Sequence, residues 1–152
     1  MNYTNKYSLS DPVSVALTST SYDSQPGVLS MTTLLDPPRI RLLRERHESE
    51  LTKDVSECAD TMIGIAYHEY VQKHCPNNWI VERRFYGELL GRKISGKIDA
   101  YDPTTKTLYD YKVPSVYEFK NGKVPEKFEQ QLNGYRYLMN KEGVEVDNLT
   151  LS

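Results

Sequence analysis

Three acid/base side chains, Asp99, Asp110 and Lys112, stand in a stretch whose β-strand alternation can bring them together. Residues 108 to 113 read as a short strand, so Asp110 and Lys112 point to one face while Tyr109, Tyr111 and Val113 point to the other. On the preceding strand Ile94, Gly96, Ile98 and Ala100 form the apolar set, which assigns Lys97, Asp99 and Tyr101 to the polar face. Where those two polar faces meet, two carboxylates and an ammonium converge. Carboxylates hold a hard divalent cation, and an ammonium beside them polarises a water or steadies charge developing on phosphate. That combination suits phosphodiester hydrolysis.

Gly96-Lys97-Ile98-Asp99, followed after ten intervening residues by Asp110-Tyr111-Lys112, resembles the PD-(D/E)XK nucleases. The likeness is to the RecB-like and lambda-exonuclease-like branch, whose pattern is G-x-(I/V)-D and then (D/E)-x-K. Gly64-Ile65-Ala66-Tyr67-His68 is similar to that branch's upstream helix ending in histidine, and Gln131-Leu132-Asn133-Gly134-Tyr135 to its downstream Q-x-x-x-Y helix. A lone D-x-K has little meaning, because Asp and Lys are common on solvated strand edges; four motifs in order carry far more. The resemblance covers about residues 60 to 140 and leaves the first thirty outside.

The resemblance implies a restriction-endonuclease-like core and metal-dependent hydrolysis of DNA, as an exonuclease in repair or recombination. It implies Mg²⁺ or Mn²⁺ held by Asp99, Asp110 and the carbonyl of Tyr111, with His68 as a further ligand or an outer group. Lys112 would position the water, and Gln131 and Tyr135 would orient Lys112 or the scissile phosphate. Related enzymes often place another acid on the strand entering the hairpin. Glu82 has that position, and a cross-strand partnership with Lys97 or an arginine explains it equally well. A catalytically inactive nuclease-fold module that binds nucleic acid or a protein is the alternative.

The elements that must position these residues are legible in outline, as an α/β (α+β) fold with a mixed central sheet flanked by helices. Residues 79 to 89 and 93 to 101, rich in β-branched and aromatic types, read as a hairpin around Leu90-Gly91-Arg92, with a second turn at residues 102 to 106. A helix from Asp54 to about His74 carries Ala59, Met62, Ile63, Ala66, Tyr70 and Val71 on a stripe expected to pack on the sheet. Residues 126 to 141 form a helix with Phe128, Leu132, Tyr135 and Met139 on one face and Gly143 at C′. Residues 144 to 151 read as a last strand still running where the chain stops, as in a short member or a fragment.

Upstream, residues 1 to 29 read as an irregular arm with a short strand near Val13 to Leu17, and 30 to 152 as a single domain. Ser30 to Leu35 is β-prone, and Asp36-Pro37-Pro38 opens a helix to about His47. Its Arg39, Arg41, Arg44 and Arg46 face suits phosphate or plain solvation. Residues 114 to 125, punctuated by Pro and Asn-Gly, read as a loop bordering the substrate groove.

Composition narrows the class. Of 152 residues 38% are hydrophobic and 26% charged, which suggests neither wholesale disorder nor a membrane span. Cys58 and Cys75, without a C-x-x-C, cannot build the four-cysteine iron-sulfur cluster of some RecB-like relatives; they fit buried thiols in a reducing cytoplasm, a host's if the source is viral. A net charge of −2 excludes a protein that coats nucleic acid through bulk charge. A nuclease needs only a local positive track, for which Arg83, Arg84, Arg92, Lys93 and Lys97 are the candidates.

Overall fold

The strands expected on either side of Leu90-Gly91 form, but each is cut in two. In the computed structural model, which describes residues 1–19, 25–113 and 125–152, the incoming strand is divided into β4 (Ile80–Val81) and β5 (Arg84–Leu89). The outgoing strand is divided into β6 (Arg92–Lys97) and β7 (Ala100–Asp102). The hairpin turn is the two-residue kind, Leu89 facing Arg92 across Leu90 and Gly91, whose φ angles are 49° and 72°. Both central residues of such a turn must be left-handed to match strand twist, and glycine supplies one of them without strain.

The cut falls at Glu82, whose φ is 52°, opposite Ile98-Asp99. Two backbone bonds hold the joint, Glu82 N–H to the Asp99 carbonyl at 3.1 Å and Ile98 N–H to the Arg83 carbonyl at 3.0 Å. Beyond it the alternation changes phase. Ile94 and Ile98 are core residues as expected, but Tyr101, expected on the polar face, is 4% exposed and belongs to the same core. Its hydroxyl donates to the Glu145 carbonyl at 2.5 Å, which satisfies the polar end of a buried ring.

The expected central sheet is accordingly two mixed sheets. One has the order β2-β6-β5, with β2 (Leu29–Ser30) parallel to β6 and β5 antiparallel to it. The other has the order β4-β7-β8-β9, where β8 (Thr107–Asp110) is antiparallel to β7 and parallel to β9 (Asn148–Leu151). The turn between β7 and β8 is built by Asp102, whose carboxylate accepts from Thr104 N–H at 2.9 Å and the Thr105 hydroxyl at 2.8 Å.

One helix, Glu126–Lys141, connects β8 to its parallel neighbour β9, and its Leu132, Tyr135, Leu138 and Met139 are buried against Phe85, Ile94, Ile98 and Leu108. Gly143, with φ of 81°, follows the C-cap Glu142, as the sequence predicts. Residues 31 to 35, read as β-prone, are instead a short helix (Met31–Leu35). The Ser30 hydroxyl caps it by accepting from Thr33 N–H at 3.1 Å.

The chain divides into two compact units, Met1–Asp23 with Asp36–Tyr67, and Ser24–Leu35 with His68–Ser152. In the first unit the supposedly irregular N-terminus contains β1 (Asn2–Thr4), parallel to β3 (Thr52–Asp54). It also contains helix α1 (Asp11–Thr18) where a strand was expected, with Pro12 in the first turn and Val13, Ala16 and Leu17 at helical spacing. Leu17 packs with Val55 and Cys58 in a small core. The short helix at Met31–Leu35 is α2, and α3 spans Pro38–Arg46 with no buried residue. Asp54 caps a 3-10 turn that leads into α4 (Ala59–Gln72), and the Glu126–Lys141 helix is α5.

The apolar stripe of α4, expected against the sheet, is not buried; Met62, Ile63 and Tyr70 are exposed. The face of the sheets that carries Leu108 and Ile98 is covered by α5. Neither cysteine is in a disulfide; Cys58 is buried and Cys75 half-buried. Among the described residues no helix is long and apolar enough to cross a membrane. The expected groove-bordering loop, residues 114 to 124, lies outside the described residues.

Candidate metal centre

The joint between the sheets brings two acids to one place. Glu82 and Asp99 face each other through the 3.1 Å backbone bond, and the left-handed turn at Glu82 re-aims its side chain as a bulge does. Asp99 is then fixed from below: its Oδ2 accepts from the backbone N–H of Tyr111 at 2.7 Å, which ties it to the strand that carries Asp110 and Lys112. Its Oδ1 lies 3.3 Å from His68 Nδ1, near the C-terminal end of α4. One ligand atom each from His68, Glu82 and Asp99 falls within a mutual 4.8 Å, and all three residues are half-buried.

Asp110 and Lys112 form a second pair beside this cluster. Lys112 Nζ is 2.8 Å from Asp110 Oδ2, as same-face neighbours on a strand should be. Lys112 also stands over the Phe128 ring of α5 at 5.2 Å. Asp110 itself is 1% exposed, on the α5-covered side of β8 with Leu108. Gln131 Nε2 donates to Asp110 Oδ1 at 3.4 Å and to the Tyr135 hydroxyl at 2.7 Å, so the Q-x-x-x-Y residues reach the acid of the D-x-K pair.

Electrostatics follow from these contacts. The hydrogen bond to Asp99 raises the pKa of His68, against burial, which works the other way. Burial raises that of Asp110; the Lys112 charge opposes the shift and the Asp99 charge adds to it. Burial likewise pushes the Tyr135 phenol up, which keeps it a neutral hydrogen-bond partner for Gln131.

Asp99, Asp110, Lys112, Gln131 and Tyr135 are thus joined by contacts that run through Tyr111 N–H and α5. Among the described residues the cluster at metal-ligand spacing is His68, Glu82 and Asp99, while Asp110 is held by Lys112 and Gln131 beside it. Glu82 has the expected cross-strand partner in Lys97 and also lies in this cluster. Tyr111 bonds Asp99 through its backbone N–H. Nothing in the sequence marks the left-handed turn at 82, where no glycine stands.

The expected positive track is divided by local pairing. Arg83 bonds Glu142 at 3.0 Å and lies over Phe85, Arg84 donates to the Ser95 hydroxyl at 3.0 Å, and Lys97 pairs with Glu82. Arg92 and Lys93 are exposed at the hairpin end, with Lys93 facing Glu88.

No family model and no curated protein matches the chain. Among solved structures it is similar to the one titled "Crystal structure of SSO0001", with a TM-score of 0.65 over 92% of this chain and 69% of that one. At 20% identity the likeness concerns the fold, a mixed α/β arrangement.

Proposed function

We propose that this chain is a divalent-metal-dependent nuclease that hydrolyses DNA phosphodiester bonds, of the PD-(D/E)XK kind. The observation that carries the reading is the cluster of His68, Glu82 and Asp99 within 4.8 Å, with the Lys112–Asp110 pair beside it. The donor set fits a divalent ion: two carboxylates supply anionic oxygens and the imidazole a nitrogen, a mixture suited to Mn²⁺. Asp99 would be the fixed ligand because Tyr111 N–H orients it, and His68 and Glu82 would complete the set. When bound, Mn²⁺ or Mg²⁺ supplies charge that polarises a phosphoryl oxygen and acidifies water.

The chain's own residues do the rest. Lys112, held by Asp110 and the Phe128 ring, presents an ammonium to the attacking water or the charge growing on phosphate. Gln131 and Tyr135 keep Asp110 in place from α5, so they act on Lys112 through that acid. End-labelled linear and closed circular DNA, incubated with and without Mn²⁺, test the proposal. Label released only with Mn²⁺, and lost in Asp99→Asn, is expected; an exonuclease leaves the circle intact. Intact DNA under every metal condition overturns it.

A further inference from the structure

Lys97 stands where no catalytic pattern requires a lysine, yet its ammonium sits on an oxygen of Glu82, one of the three clustered side chains. It gets there by register. Lys97 is the last residue of β6, opposite Arg84, and the backbone joint immediately beyond it places Glu82 against Asp99. Lys97 is 45% exposed and Glu82 24%, so the pair is a surface one that can open at little cost. A divalent ion among His68, Glu82 and Asp99 would take the same carboxylate and repel an ammonium already lying on it.

The geometry points to Lys97 as a built-in cation that holds Glu82 until a divalent ion replaces it, and that is then released to contact a substrate phosphate at the same site. Lys97 is on this account a positioning residue, not a ligand. The inference rests on the nuclease reading for its phosphate, and on the metal cluster for its exchange. Two cations competing for one carboxylate give a signature opposite to that of a ligand: removal of Lys97 strengthens metal binding, whereas removal of Glu82 weakens it.

The test is calorimetric titration of the whole chain with Mn²⁺, without DNA, for the parent, Lys97→Met, Lys97→Arg and Glu82→Gln, with folding checked by circular dichroism. Lys97→Met should bind Mn²⁺ about two- to fivefold tighter, the range an exposed ion pair corresponds to, and Lys97→Arg should match the parent. Under Mn²⁺ saturation Lys97→Met should raise KM for DNA severalfold with little change in kcat, since a phosphate contact made equally in the bound and transition states is lost. Unchanged or weaker Mn²⁺ binding by folded Lys97→Met overturns the inference and leaves the nuclease reading standing. A parent that binds no Mn²⁺ removes the metal-centre reading, and this inference falls with it.

Discussion

The backbone N–H of Glu82 donates to the carbonyl of Asp99 at 3.1 Å, while Glu82 holds a φ of 52°. That one bond marks where two sheets part and two acids meet. A left-handed residue other than glycine costs roughly 1–2 kcal/mol, so a local cost is borne at the place that orients the acid.

Glu82→Gly should therefore separate stability from binding. Relief of the strained φ, offset by glycine's greater freedom when unfolded, predicts a stability equal to the parent's or higher by up to about 1 kcal/mol. Mn²⁺ affinity should fall at least tenfold in the same protein. Urea unfolding and calorimetry read the two effects, and a large loss of stability would show the backbone at 82 to be relaxed.

Lys112→Ala should fail in two ways. Asp110, 1% exposed, would lose its cationic partner, which costs roughly 2 kcal/mol or more of stability. Cleavage should fall by about a hundredfold or more while Mn²⁺ binding persists. Adding Asp110→Asn to Lys112→Ala should restore much of the stability and none of the rate. A double mutant no more stable than Lys112→Ala would mean that the pair contributes little to folding.

On the proposed metal-centre reading, His68 is the side chain that sets metal choice. With an imidazole nitrogen in the cluster, activity in Mn²⁺ should exceed that in Mg²⁺, and His68→Ala should narrow the ratio. Equal rates with the two ions, unchanged in His68→Ala, would return the side chain to a supporting role for Asp99.

Asp54 makes the first unit sensitive to acid. Its carboxylate accepts from Lys6 N–H at 2.9 Å and from the N–H and hydroxyl of Ser56 at 3.1 and 2.6 Å, contacts that hold its pKa well below the ordinary carboxylate range. A depressed folded pKa gives stability that is fully present above the unfolded value of about 4 and lost as pH falls toward the lower folded value. Acid titration followed by hydrogen exchange at residues 52 to 58 should show early opening there, and Asp54→Asn should abolish that pH dependence. Protection that declines equally in both proteins would assign the acid sensitivity elsewhere.

Much of this was written in local chemistry. The α5 stripe, its Gly143 terminus, the two-residue turn at Leu90-Gly91 and the Asp110–Lys112 pairing follow from periodicity and turn rules that act within a few residues. The phase change at Asp99 does not, because it depends on a partner strand bent at Glu82, and no glycine or proline signals the bend. Tyr101 faces the core for that reason. Helix α1 leaves no such mark in the sequence, because an eight-residue helix in a Ser- and Thr-rich setting has too few turns to establish a period. The exposed stripe of α4 is the reverse case, a helix legible from its period whose apolar residues are nonetheless not buried.

Gly96 has a consequence of its own. A Cβ at that position would lie 2.5 Å from the ring of Tyr135, inside any real contact distance, so the bare backbone of β6 is the seat on which α5 rests. Tyr135 in turn bonds Gln131, and Gln131 bonds Asp110. Letters some forty residues apart in the chain are therefore one mechanical part. Relatives that carry a larger residue at 96 should carry a smaller one at 135, and a graft of the β6–β8 segment onto another scaffold would need this helix face to travel with it.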